Sequence, residues 1–248
     1  MAASKPSKRL GSESIEPMVT ERFYDRELNS RERAVRGLRA TLQGFLKALA
    51  LAGIMLPLQL FGILTLDLPL SLFDAFAPTQ GLRPSAWMSL GEGLLMLLVL
   101  LTILMTRRWG AGAVAGSALL GWALTFSIIT MLIVELAPEL QDGDFPSGRF
   151  ISVLIISWVA GQLFAGRVFD ITRGGNWWKA PFFGAAFGYG FQALIYFPGA
   201  FAGTGAPWLW WMLIYLVITT AISLAFVLIY GPLRRLIVPK AGLGGRFD

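Results

Sequence analysis

Residues 208–230 read WLWWMLIYLVITTAISLAFVLIY, 23 residues without a charged side chain. A helix crosses the hydrocarbon of a bilayer with about 20 mostly apolar residues, each rising about 1.5 Å, so this run is long enough to span. Five further stretches meet the same requirement, at about 42–66, 86–106, 111–134, 150–169 and 181–202. Lipid offers no partner to an unpaired backbone N–H or C=O, which forces each stretch into a helix. Charged or Gly/Pro-rich joints separate them, at 67–85, 107–110, 135–149, 170–180 and 203–207. The reading is an all-α polytopic membrane protein. A six-helix transmembrane domain covers 42–232, with a cytoplasmic N-terminal tail at 1–41 and a cytoplasmic C-terminal tail at 233–248.

Composition points the same way and removes whole classes of function. Hydrophobic residues make up 55% of the chain and charged residues 15%, against about 25% charged in an ordinary soluble domain. Cysteine and histidine are both absent. That excludes disulfides, thiolate metal sites, thiol nucleophiles and Ser-His dyads. An aspartyl mechanism needs two buried aspartates, and no span contains one. The phosphate loop GxxxxGK[ST] is missing as well, so the chain does not itself hydrolyse ATP. No enzyme activity, cofactor or metal is expected.

The net charge of +6 matters through its distribution. Cytoplasmic loops retain Lys and Arg, and with the N-terminus inside, eighteen of the 21 basic residues fall in cytoplasmic segments. The opposite loops carry only Arg83 and Arg149, beside Asp67, Asp74, Glu135, Glu139, Asp142 and Asp144. Tryptophans mark both boundaries as interfacial anchors, Trp87, Trp208, Trp210 and Trp211 outside and Trp109, Trp177 and Trp178 inside. The N-terminal tail reads as disordered through about Thr20. From Asn29 and Ser30, which cap a helix, the stretch Arg31–Arg39 either lies on anionic lipid or forms a solvated tail. A cleaved signal peptide fits poorly, because some forty residues precede the apolar run. Nucleic acid is an unneeded partner: Glu21, Asp25, Glu27 and Glu32 interrupt the basic arm, and the orientation rule already accounts for the charge.

Within lipid, helices approach closely through small residues. Gly112 and Gly116 on the third span and Gly184 and Gly188 on the fifth have that spacing and read as packing seams. Pro57 and Pro198 interrupt their helices as kinks or hinges. Polar groups at depth need a partner or a cavity. Glu92 is the one carboxylate inside a span, and either lines a pocket or reaches interfacial water. Trp158 and Gln162 share a face of the fourth span, as Tyr189, Gln192 and Tyr196 share one of the fifth. An amide flanked by aromatics suits a flat heteroaromatic ligand, and equally suits interhelical glue, Gln162 to Gln192 for instance. The hydroxyls of Thr125, Ser127, Thr130, Thr219, Thr220 and Ser223 are expected to bond their own i−4 carbonyls.

The blocks Gly161-Gln162, Val168-Phe169-Asp170, Trp177-Trp178-Lys179-Ala180-Pro181 and Ala200-Phe201-Ala202-Gly203, with Arg107 and Trp109-Gly110, resemble the VUT family of bacterial inner-membrane proteins. These are the queuosine precursor transporters, and the resemblance covers 42 to about 238. It implies a six-helix layout, a place in the bacterial inner membrane and a deazapurine substrate. The chain departs from the family's pattern at three intramembrane aspartates, which are Ile103, Ala165 and Gln192 here. That loss implies a changed substrate, a changed coupling mode or a relative that no longer transports.

The leading reading is thus uptake of a small, neutral or weakly charged heteroaromatic metabolite, bound by Gln162, Gln192, Trp158, Tyr189, Tyr196 and Glu92. A gradient or a separate energising partner drives it, and the chain acts alone or as a homo-oligomer in the bilayer. The alternative is a non-transporting membrane subunit or scaffold in which the two glutamines hold helices together.

Overall fold

The computed structural model describes residues 30–76, 79, 83, 85, 88–136 and 147–239. Trp87, the acids at 139, 142 and 144, residues 1–29 and residues 240–248 lie outside this set, and so do the expectations that fall on them. The described chain is helical, with six α-helices and no strand: α1 (Ser30–Leu64), α2 (Leu90–Trp109), α3 (Ala111–Leu136), α4 (Gly148–Thr172), α5 (Lys179–Phe201) and α6 (Trp208–Leu236). A short 3₁₀ turn, Ser71–Phe76, lies between α1 and α2.

Five of these helices, α1 to α4 and α6, are long and apolar enough to cross a membrane. Large apolar side chains are exposed along them, among them Phe61, Leu119, Met131, Ile156, Val217 and Leu228. A water-soluble monomer rarely leaves so much apolar surface uncovered; a multi-pass membrane protein needs it. The exception is α5, which has 23 residues. It carries four glycines, two prolines, Tyr189, Tyr196 and Gln192 among its apolar residues. Many of those residues face inward: Gly184, Gly188, Tyr189 and Gln192 are all buried.

The chain divides into two units, residues 1–44 and 45–248. In the first, the described part is the opening of α1, and Arg31, Arg33, Arg36 and Arg39 are all exposed on it. The second holds the rest of α1 and the remaining five helices.

In the second unit α4 and α5 form the central pair. A Cβ added at Gly188 would lie 2.6 Å from the Ala165 Cβ and 3.0 Å from the Gly161 carbonyl, and one added at Gly161 would lie 2.8 Å from the Gly188 carbonyl. Backbone therefore touches backbone across this seam, which only small residues permit. The expected seam on α5 is present. That on α3 is not found within the described chain: Gly112 and Gly116 are exposed, and a Cβ at either meets nothing within 4 Å. The close approach on α3 is instead at Gly121, where the Gln59 side chain fills the space a Cβ would occupy. Helices α1 and α5 continue through Pro57 and Pro198.

Local signals set the ends. Ser89 and Glu92 close a capping box on α2, the Glu92 N–H donating to Ser89 Oγ at 3.0 Å and the Ser89 N–H to Glu92 Oε2 at 3.3 Å. Gly110 alone joins α2 to α3, with φ of 84°. Its lack of a Cβ makes that conformation accessible. Of the hydroxyls, Ser127, Thr219, Thr220 and Ser223 bond the i−4 carbonyl. The Thr125 hydroxyl differs, being buried without a hydrogen-bond partner.

Candidate functional site

The residues expected to bind a ligand fall into two places. Gln162, Trp158, Tyr189 and Gln192 lie in the packed interior, with exposures of 0%, 2%, 0% and 3%. Gln162 is engaged on both sides of its amide. Its Oε1 accepts from Trp122 Nε1 at 2.8 Å, and its Nε2 donates to Thr102 Oγ1 at 2.8 Å and to Met55 Sδ at 3.4 Å. Four helices are thereby tied at one amide. The Tyr189 hydroxyl donates to the Met96 carbonyl at 2.8 Å, linking α5 to α2. These are interhelical ties, and Gln162 makes them to α1, α2 and α3 rather than to Gln192.

The void beside this network is small. Thr102, Thr106, Val114, Ala118, Gln162 and Gly166 line about 10 Å³, room for one water molecule. Ile103, Ala165 and Gln192 lie around the same α4–α5 seam. A Cβ at Gly184 would meet the Ala165 carbonyl at 3.2 Å and Ile103 Cδ1 at 3.4 Å, and a Cβ at Gly161 would meet Gln192 Cβ at 2.7 Å. The region is closed by apolar packing.

Glu92 and Tyr196 are elsewhere, and together. They line a cleft of about 240 Å³ with Phe197, Phe201, Trp211, Ile214, Tyr215 and Ile218. It is built from the first turn of α2, the last two turns of α5 and the first three turns of α6. Its aromatic wall is continuous: Tyr196 meets Phe201 edge-on at 5.8 Å, Phe201 meets Trp211 at 5.3 Å, and Phe197 meets Tyr215 at 5.5 Å. The Tyr215 hydroxyl is buried and has no hydrogen-bond partner. Glu92 is positioned by the capping box, which fixes the carboxylate at the helix start. This arrangement can hold a small ring against aromatic faces while a carboxylate accepts from its donors.

The opposite end of the bundle is a closed knot of charge. Arg107, on the last turn of α2, donates from Nε to the Ile237 carbonyl at 3.1 Å, from Nη2 to the Arg234 carbonyl at 3.3 Å and from Nη1 to the Tyr230 hydroxyl at 3.3 Å. It therefore satisfies carbonyls that the end of α6 leaves without intrahelical partners. Arg173 and Asp170, both nearly buried, face each other at 3.0 Å in a charge contact rather than an aligned hydrogen bond. Arg173 Nη1 also reaches the Arg107 carbonyl at 3.5 Å. Arg234 stacks over the Trp177 ring at 4.6 Å, and Phe169 packs edge-on against Tyr230 at 6.0 Å.

Several of these participants carry no clear signal in sequence. Gln59, fully buried with neither amide atom hydrogen-bonded, sits mid-span in α1, and a polar residue in an apolar run was its one visible mark. Trp122 looks like any apolar residue of α3. Tyr215 and Trp211 look like lipid-facing or interfacial rings. Arg107, Asp170 and Arg173 read as loop charges because they lie where spans end.

No protein family, curated relative or solved structure is found to match the chain.

Proposed function

We propose that the chain is a six-span carrier in a bacterial inner membrane, with both ends in the cytoplasm, that takes up a small heteroaromatic metabolite through the Glu92 cleft. The single observation that carries this reading is the cleft itself: a carboxylate in the first turn of α2, walled by aromatic rings, with room for a ligand. A carboxylate accepts from adjacent N–H donors on a ring edge, and Tyr196, Phe201 and Trp211 supply surfaces for the ring. The resemblance of residues 161–203 to the VUT family supports a deazapurine precursor of queuosine as the substrate. Counting α5 as the sixth span follows from its length and from its place against α4 and α6. Charge distribution supports an outer side for the cleft and a cytoplasmic side for the Arg107 knot.

Uptake of labelled queuosine precursor by cells lacking their own carrier tests the reading, with Glu92→Gln and Tyr196→Ala beside the unaltered chain. Accumulation that both substitutions abolish supports it. Accumulation unaffected by either removes the cleft from the account.

A second reading, a non-transporting membrane subunit or scaffold, is favoured by one observation. Ile103, Ala165 and Gln192, where the resembling family carries aspartates, sit in a closed seam, and Gln162 is consumed by interhelical bonds. A chain that binds none of the precursors, and no nucleobase in a panel, in a thermal-shift assay would move the account to this reading.

A further inference from the structure

We propose that the cleft selects a small organic cation, a protonated amine or quaternary ammonium carried on a flat apolar body. The inference rests on the reading of the cleft as a ligand site and adds the charge of what it takes.

Three features of the cleft lead to it. Glu92 makes no ion pair among the described residues, where the one recorded pair is Arg173 with Asp170. Its Oε2 is engaged by the Ser89 N–H at the start of α2, so the helix N-terminus favours the carboxylate but no described side-chain cation faces it. A cation seated in the cleft beside this half-buried carboxylate would gain an ion pair that no described residue supplies. Arg149, the cation at the start of α4, is committed elsewhere, donating to the Gly199 carbonyl at 2.8 Å and the Ala202 carbonyl at 3.0 Å.

The wall supplies the second feature. Tyr196, Phe201, Trp211 and Tyr215 are electron-rich rings gathered around one acid, the composition by which cations are held over ring faces. An anion would face the carboxylate unscreened, and a neutral ring would offer it hydrogen bonds but no opposite charge. The third feature is the Tyr215 hydroxyl, buried in a residue of the cleft wall and without a hydrogen-bond partner, which the N–H of a protonated amine would satisfy. A metal ion is a poorer occupant, since no group of three acidic or other ligating side chains occurs among the described residues.

The test uses the full-length purified chain in zwitterionic nanodiscs near neutral pH, with two probes of one skeleton, phenethylammonium and 2-phenylethanol, measured by calorimetry. The cation is expected to bind at least about tenfold more tightly than the alcohol. Glu92→Gln is expected to erase that preference while the chain stays folded, because Gln closes the capping box as Glu does. Equal affinities in the unaltered chain, or a preference that survives Glu92→Gln, would overturn the proposal. Should that variant not fold, Trp211→Leu takes its place: several-fold weaker binding of the cation supports the proposal, and unchanged binding overturns it. Cation binding without uptake of any precursor would refute the carrier and leave this inference standing. Uptake without discrimination between the probes would refute this inference alone.

Discussion

The two ends of the helix bundle handle charge in opposite ways. At one, Arg107, Arg173 and Asp170 are nearly buried, and each is engaged by a carbonyl, a hydroxyl or an opposite charge. At the other, Glu92 stands in a cleft of about 240 Å³ without a counter-ion among the described residues. Buried charge that is fully engaged ties helices together. Charge left without a counter-ion beside a space is available to something that enters. The same cost of placing an ion in an apolar setting thus produces a fastening at one end and a receptor at the other.

The contrast requires that substitutions at the two ends separate stability from binding. Arg107→Met should have the largest effect on stability, since it strips three hydrogen bonds that cross from α2 to α6 and leaves carbonyls unpaired. A loss of about 3 kcal/mol is expected in denaturant unfolding of the purified chain, with affinity for cleft ligands retained in the folded fraction. A variant as stable as the parent would show that the knot fastens nothing.

Gln162→Leu should cost less, about 1 kcal/mol, because interhelical hydrogen bonds in membranes are modest and the change orphans mainly the Trp122 N–H. Uptake should continue. A carrier that folds but loses uptake on this change would place the ligand in the interior rather than the cleft.

Smaller again is the stability effect of Tyr215→Phe, which removes a hydroxyl that has no partner. The unfolding midpoint should stay level or rise, while affinity for an ammonium ligand falls. Lower stability with unchanged affinity would make Tyr215 part of the scaffold.

The slightest effect concerns the joint before α2. There Asp74 accepts from the Ser85 hydroxyl and from the Ser85 N–H at 3.1 Å, and the hydroxyl bond chiefly holds its carboxyl below the usual carboxylate range. A depressed folded-state pKa stabilises above the unfolded value of about 3.9, and the contribution is lost as pH falls through the folded pKa. Amide exchange at Ser85 should be slow near neutral pH and accelerate relative to Asp74→Asn only below that range. Protection independent of pH would mean that the carboxylate does not hold the joint.

How much of this was legible in the sequence depends on which physical signal each feature leaves. The helices were readable because apolar length is written directly in the residues, and Gly184 and Gly188 announced a close-packed face on α5 through their spacing. Gly112 and Gly116 have the same spacing and yet face outward, since spacing fixes a helix face and not its neighbour. Glu92 and Tyr196 stood out as polar groups in apolar runs. That they share a cleft was not readable, because α2 and α5 meet only in the fold. Nor was Gln162 as a tie to Trp122 and Thr102, whose partners lie on helices remote in sequence. The Arg107 knot was hidden by its own position: cations at the ends of spans satisfy the orientation rule whether they are solvated or buried.

For uptake through the Glu92 cleft, water must reach it from outside the cell. The natural absence of cysteine allows a direct measurement with a single cysteine at Ile218, which lines the cleft and lies ten residues into α6, about 15 Å along the helix. In intact spheroplasts a membrane-impermeant maleimide should label it, and phenethylammonium should slow the labelling. If a cysteine at Thr204, in the adjoining turn, is labelled while the one at Ile218 is not, or if Ile218→Cys is labelled only in inverted vesicles, the cleft is not an entrance from outside.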